Sequence, residues 1–570
     1  MADWYKASLA VQHQVEEGDN LPFVSRRSPV LCRHACVASS QPLASSIGYD
    51  LLKAGANAAE AAIGVAAALA VTEPCSTGLG GDMFCLYYDA ESRKVTCVNG
   101  SGKSPHALSL AMVQERCAND EAFMNSPLAC TVPGAAQGWY DVLQRYGSGK
   151  FTLTDLLEPA ARLAEDGFPV SPVTSHHWKE GMFQITRWLR DGERVPLTMD
   201  GINSPQAGEV FVNPDVARVL RALGTKGPTE GFYGGEAGRA ILERVQELGG
   251  CMILEDLLAH ESTYPDPISV EYRGCRLWQV PPNGQGVAGL IALAGLRHLE
   301  EKGIIDPISK ESIGGTDTYH AMMEMMRLGF ADARAYVSDP DHQTVSNDWL
   351  VDTERIGKRA EVMFDPTKAT IAGSPDASSC TVSFQVVDAA GNAISFVNSN
   401  YTGFGSGIVP RGCGFTLQNR GAGFTLTEGH PNAVGPAKRP YHTIIPGMLT
   451  HSDTGELYAT ISNMGGNMQP QGHMQLTVGL LAGELDPQTA IDTPRFCIVA
   501  GTQQGAAFLE SGVNEDVVHE LKKRGHDMKT GVKGHDRSVF GRAQIIKRDR
   551  TTGVLWAGSD GRADGCAMGF

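Results

Sequence analysis

Around residue 380 the chain reads Ser378-Ser379-Cys380-Thr381-Val382, a thiol and a hydroxyl side by side where a polar connector meets an alternating segment. Either could attack a carbonyl. The thiol is intrinsically the better nucleophile, and a threonine hydroxyl becomes one when a base stands beside it. From 381 to 387, Val382, Phe384 and Val386 alternate with Thr381, Ser383 and Gln385, which predicts a strand with two unlike faces. A second strand is predicted over 393–399, after the turn 388–392. If Val387 faces Ala393 across that turn, Thr381 faces Ser399, and such cross-strand pairs sit about 5 Å apart at Cβ. The register therefore gives Thr381 a neighbouring hydroxyl and favours it over Cys380. Farther along, Gly465-Gly466 falls between a predicted strand, 457–463, and a predicted helix, 471–483. Two residues without side chains at a helix N-terminus let backbone N–H groups face a cleft, as an oxyanion hole requires.

These groups need a frame, and its elements are readable in outline. Apolar spacing over 43–71 predicts helix, Ala-rich in its second half. The turn Gly78-Leu79-Gly80-Gly81 leads into strands over 83–88 and 94–99. Helical periodicity dominates the middle, at 216–223, 236–248, 287–299 and 318–336, with a strand pair at 268–272 and 275–280. Residues 362–380 hold Pro366, Gly373, Ser374, Pro375, Ala377, Ser378 and Ser379. They read as a polar connector with little to pack: a linker, a lid, or a segment freed by cleavage. The tail predicts a hairpin, 543–547 with 554–559. Strand pairs and buried-looking helices in both halves predict an α/β sandwich with helices outside stacked sheets.

Composition narrows the function. A net charge of −16 argues against nucleic acid, because phosphate binding needs a basic surface. No apolar run is long enough to span a bilayer, and the polar N-terminus carries no secretory h-region. The 13 cysteines are scattered and odd in number, which disfavours a complete disulfide framework and fits a reducing, cytoplasmic compartment. Cys32, His34 and Cys36 match no common zinc spacing. Gly102-Lys103-Ser104 lacks the first glycine of a phosphate loop, since Cys97 stands there, and Pro105 biases Ser104 away from helix. There is no H-E-x-x-H helix, no G-x-S-x-G elbow and no complete dinucleotide fingerprint.

The run Thr381-Val382-Ser383-Phe384-Gln385-Val386-Val387-Asp388, with Gly391-Asn392-Ala393, resembles the start of the small subunit in γ-glutamyltranspeptidases. Phe404-Gly405-Ser406-Gly407-Ile408 and Pro436-Ala437-Lys438-Arg439-Pro440 continue the pattern. Upstream, Gly55-Ala56-Asn57-Ala58-Ala59-Glu60-Ala61, the Gly78 turn, Val132-Pro133-Gly134 and Pro281-Pro282-Asn283-Gly284 fall in the family's order. Asp560-Gly561-Arg562-Ala563-Asp564-Gly565 resembles its closing segment. The resemblance covers most of the chain beyond about residue 37. It implies a four-layer αββα sandwich of N-terminal nucleophile hydrolase type. It further implies a flexible arm over 1–36, a large-subunit region over 37–380 and a small-subunit region over 381–570. The precursor would cut itself between Cys380 and Thr381, and the two fragments would stay associated. Thr381 then carries a free α-amine, with an ordinary pKa of about 7.7–8.0, as its own base. Ser399 would orient the nucleophile, and Gly465 and Gly466 would hold the oxyanion. No metal or organic cofactor is needed, the partner is a small-molecule amide, and a homodimer is compatible.

The resemblance breaks where the family binds a γ-glutamyl group. Ser101 stands where the family has an arginine, and Tyr401, beside Asn400, stands where it has an asparagine. Arg420 and Gly423 replace a glutamine and an acidic residue, and His442-Thr443 replaces a serine pair. The anion for a substrate ammonium is missing, while Arg420 adds a cation, with Arg411 as a second. The expected donor is a small acyl amide carrying a carboxylate but no α-amine, as in the oxamate-amidohydrolase-like or acylase-like branch. The alternatives are a true glutathione hydrolase or transferase, and a relative that keeps the fold but never matures.

Overall fold

The computed structural model describes residues 27–375, 380–499 and 505–570. Two antiparallel sheets form its centre. One has six strands, in the order Cys566–Gly569, Cys36–Ser39, Cys380–Val387, Ala393–Tyr401, Asp82–Asp89, Lys94–Gly100. The other has seven: Val30–Cys32, Leu555–Ser559, Ala543–Arg548, Leu457–Asn463, Gly447–His451, Cys275–Gln279, Ile268–Tyr272. The sheets pack face to face through Phe84, Leu86, Val387, Val397, Met448 and Ile546, all buried. Each outer face is covered by helices. Pro42–Lys53, Ala58–Thr72 and Ala135–Tyr146 lie over the first sheet, and Val287–Glu301, Thr316–Tyr336 and Met468–Leu481 over the second. This is the expected four-layer αββα sandwich. Among the described residues no helix is long and apolar enough to cross a membrane.

Local chemistry accounts for the elements near the hairpin. Asn57 opens the helix Ala58–Thr72 with a reciprocal capping box: its side chain accepts from Glu60 N at 2.9 Å, and Glu60 Oε2 accepts from Asn57 N at 2.8 Å. Asp388, in the hairpin turn, also accepts from Ala58 N at 2.9 Å and so ties the helix to that turn. The strand Cys380–Val387 buries Val382, Phe384 and Val386 against the helices. On its other face Gln385 Nε2 donates to Ser462 Oγ of the second sheet at 2.6 Å. The predicted alternation thus becomes an apolar outer face and a polar inner one.

Two expectations need correction. The arm ends earlier than residue 36: Val30–Cys32 is an edge strand paired with Leu555–Ala557, while 1–26 lie outside the described residues. The connector at 362–380 is not loose throughout. The helix Thr353–Met363 runs into it, and Ile371, Gly373, Ser374 and Pro375 are buried; residues 376–379 lie outside the described residues. As expected of fragments that stay associated, both sheets take strands from both sides of Thr381.

Candidate active site

Thr381 is fully buried, the second residue of its strand. The register runs as predicted from Ala393 opposite Val387 to Asn398 opposite Val382. It then shifts, so that Tyr401 lies opposite Cys380. This bulge sets Ser399 and Asn400 against the single residue Thr381 and re-aims their side chains. Ser399 Oγ comes to 3.1 Å from Thr381 Oγ1. It also accepts from Tyr401 N at 2.9 Å and from Arg420 Nη2 at 3.2 Å. Those two groups can only donate, so both bonds end on the serine oxygen and fix its lone pairs beside Thr381.

Arg420 begins a short 3-10 turn, Arg420–Gly423, and is fully buried. Its Nη1 donates to Thr443 Oγ1 at 2.7 Å, and its guanidinium lies 4.3 Å from the ring centroid of Tyr401. Tyr401 holds a left-handed backbone, φ 80°, which carries its ring beneath the cation. Among the described residues no carboxylate lies within salt-bridge distance of Arg420, and its Nε is buried without a hydrogen-bond partner. Burial pulls its pKa down to about 10, so it stays a cation at neutral pH.

The glycine pair closes the other side. Gly465 and Gly466 have φ of 113° and 58°, values that L side chains rarely adopt. Neither N–H has an acceptor among the described residues. The helix Met468–Leu481 starts two residues later and places Gln469, whose Nε2 donates to Thr381 Oγ1 at 3.5 Å. Gln285 bridges the two walls: its Nε2 donates to Thr443 O at 2.9 Å and to Gly466 O at 3.0 Å.

The remaining sequence-predicted residues are placed differently. His442 turns to Asp82, with Nε2 3.0 Å from Oδ2, and packs on Phe84. Burial pushes His442 down to about 4, so it is neutral. Asp82 also accepts from Gly102 N, Gly134 N and Gln418 Nε2. Burial raises its pKa, and the bonds from His442 and Gln418 with the nearby Arg420 charge outweigh that and hold it below the usual carboxylate value. Asn400 donates to Thr416 Oγ1 at 3.1 Å, and its Oδ1 lies against Gly81. Arg411 does not join the site. It is exposed, pairs with Glu247 at 2.9 Å, and lines a groove of about 430 Å³ with Arg194 and Arg244.

Three residues of the site escaped sequence reading: Asp82, Gln285 and Gln469. Each sits one or a few positions beyond a motif that was read, after Gly81, Gly284 and Gly466 respectively.

The chain is similar to known proteins along most of its length. A family model described as Gamma-glutamyltranspeptidase matches residues 44–570. The chain is 34% identical over 543 residues to the glutathione hydrolase-like YwrD proenzyme of Bacillus subtilis, covering 94% of this chain and 98% of that one. It is 30% identical over 550 residues to the oxamate amidohydrolase proenzyme of Klebsiella pneumoniae, again covering 94% and 98%. A solved cephalosporin acylase from Bacillus halodurans superposes with a TM-score of 0.85 at 36% identity, over 97% of this chain and 99% of that chain.

Proposed function

This chain belongs to the γ-glutamyltranspeptidase family, and from that premise we propose that it is a self-processing amidohydrolase or acyltransferase for small amides bearing a carboxylate and no α-amine. Thr381 Oγ1 attacks the carbonyl carbon of Cys380, the Cys380–Thr381 C–N bond breaks, and the resulting ester is opened by water. The freed α-amine of Thr381 then takes the hydroxyl proton as Oγ1 attacks the substrate amide. The Gly465 and Gly466 N–H groups receive the oxyanion, and the amine product leaves with the proton. Water or an acceptor amine releases the acyl group from Thr381. Ser399 and Gln469 orient Oγ1, and Thr443 and Tyr401 steady Arg420. His442 and Asn400 serve the wall of the site.

The observation that carries the donor class is Arg420: a fully buried cation bonded to Ser399, with no carboxylate in salt-bridge range among the described residues. Asp82 acts on it only from beyond ion-pair range; a buried charge without a close counter-ion is costly, and a substrate carboxylate would supply one. The relative whose printed name is oxamate amidohydrolase supports the same class. The twelve cysteines whose side chains are described are all free thiols, which supports a cytoplasmic location.

Denaturing electrophoresis with N-terminal analysis tests the first half. The parent should yield fragments of about 380 and 190 residues, the smaller beginning at Thr381, and Thr381→Ala should stay full length and inactive. Steady-state assays test the second half. Oxamate and monoamides of short dicarboxylic acids should turn over, and a γ-glutamyl anilide poorly. Rapid turnover of the anilide with the acids inert would return the protein to the glutathione hydrolases. A parent that never cleaves would make it a scaffold.

A further inference from the structure

The approach to the scissile bond is held by a buried polar chain that has no part in the chemistry above. On the helix Thr316–Tyr336, Glu324 Oε2 accepts from the backbone N–H groups of Thr370 at 2.8 Å and Ile371 at 2.9 Å. Its Oε1 accepts from Arg327 Nη1 at 2.6 Å. Arg327 Nη1 also donates to His526 Nδ1 at 3.0 Å. His526 Nε2 and His320 Nδ1 lie 2.8 Å apart, and His320 Nε2 lies 2.8 Å from the carbonyl oxygen of Asp365.

The direction of every bond is fixed from the two ends. A carbonyl only accepts, so His320 Nε2 carries the proton. A guanidinium only donates, so His526 Nδ1 is bare, and its Nε2–H must donate to His320 Nδ1. Both rings are neutral in one tautomer each, as burial requires: it pushes His526 down to about 3 and lowers His320. All four side chains are buried. Both ends of the chain close on one loop of backbone, at Asp365 and at Thr370 with Ile371. His526 comes from beyond Thr381, and Ala369 N donates to Arg524 O at 2.7 Å beside it. Fit reinforces the bonds: a Cβ on Gly373 would lie 2.0 Å from Arg327 O.

We propose that Glu324, Arg327, His526 and His320 form a maturation clamp. They act as positioning residues that fix 365–375 so that the Cys380 carbonyl is presented to Thr381 Oγ1, and they have no role in substrate turnover. This rests on self-cleavage before Thr381. Intramolecular attack depends on holding the reacting atoms near contact. Pro375 precedes Cys380 by five residues, a span of at most about 18 Å when fully extended. Cys380 is bonded to Thr381, so what the clamp governs is backbone conformation: releasing it would loosen the segment that leads to Cys380 and let its carbonyl turn out of line with Thr381 Oγ1.

The test follows the disappearance of full-length protein after rapid purification. Glu324→Gln and His320→Ala should slow self-cleavage at least tenfold. The kcat and KM of the matured fraction, per mole of N-terminal threonine, should equal the parent's. Met325→Ala, buried on the same helix, controls for general instability and should cleave at the parent rate. If Glu324→Gln does not accumulate folded, Thr370→Pro removes one of the two clamped N–H groups from outside the helix and should show the same delay. Parent-rate cleavage in the clamp variants, an equal delay in Met325→Ala, or altered kcat and KM in the matured fraction overturns the proposal. A parent that never cleaves at Thr381 overturns the underlying reading with it.

Discussion

Two groups of buried arginines sit in this molecule under opposite conditions. Arg495 and Arg562 meet Asp560 at 2.8 and 3.0 Å, and Arg562 meets Glu510 at 2.5 Å. Burial alone would lower the pKa of Arg562, but Asp560 and Glu510 raise it above the ordinary value; Arg495 is lowered by burial and by the Arg562 charge beside it, with Asp560 and Glu510 opposing the fall. Arg420 is as deeply buried, yet its direct partners are hydroxyls and an aromatic face, and its pKa falls. The first group is compensated within the chain and ties the closing segment to the sheet. Arg420 feels Asp82 only from beyond ion-pair range and leaves the place of a close counter-charge to whatever enters the site. Burial of a charge thus separates scaffold from site only when its partners are counted.

That contrast can be broken by three measurements. The largest effect is expected on stability at the compensated group. Arg562→Met leaves Asp560 and Glu510 short of a partner and should cost about 3–5 kcal/mol in urea unfolding. A loss under about 1 kcal/mol would erase the distinction. Next, Arg420→Met should stay within about 1 kcal/mol of the parent in stability, because the charge it removes has no carboxylate partner. Its kcat/KM for a carboxylate-bearing amide should fall about 100-fold, while an uncharged amide loses less than tenfold. Equal losses for both amides would move Arg420 from recognition to the scaffold.

The smallest effect is the acid response of His442, which faces Arg420 and Asp82. Its folded pKa, about 4, lies below the unfolded value of about 6.5. The unfolded chain therefore binds the proton first. The stabilisation is complete above pH 6.5 and is lost as pH falls toward 4. Between pH 6.5 and 5 this amounts to about 2 kcal/mol at most. Urea midpoints should decline over that window, and His442→Asn should flatten the slope. An unchanged slope would remove His442 as a source of it.

The fold was largely readable where side chains alternate or recur. The hairpin of Thr381, the strand Leu457–Asn463 and the hairpin near the tail follow their apolar periods, and the register delivered Ser399 to Thr381. What escaped depends on partners distant in the chain. Asp82 gains its meaning from His442, 360 positions away, and Arg411 loses its expected role to Glu247, 164 positions away. The connector misled because its anchoring is by backbone N–H groups to Glu324, which composition does not register. Val30–Cys32 was missed because three residues at a sheet edge carry no usable period.

The alternation of strands from either side of Thr381 within both sheets has a consequence for the life of each molecule. To swap one half for another, a nicked protein would have to unzip two sheets at once and expose both inner faces to water. Each nucleophile is therefore wedded to the larger piece it was synthesised with. A damaged half cannot be replaced from a neighbour, and a mixed population of sound and defective molecules stays mixed instead of reassorting.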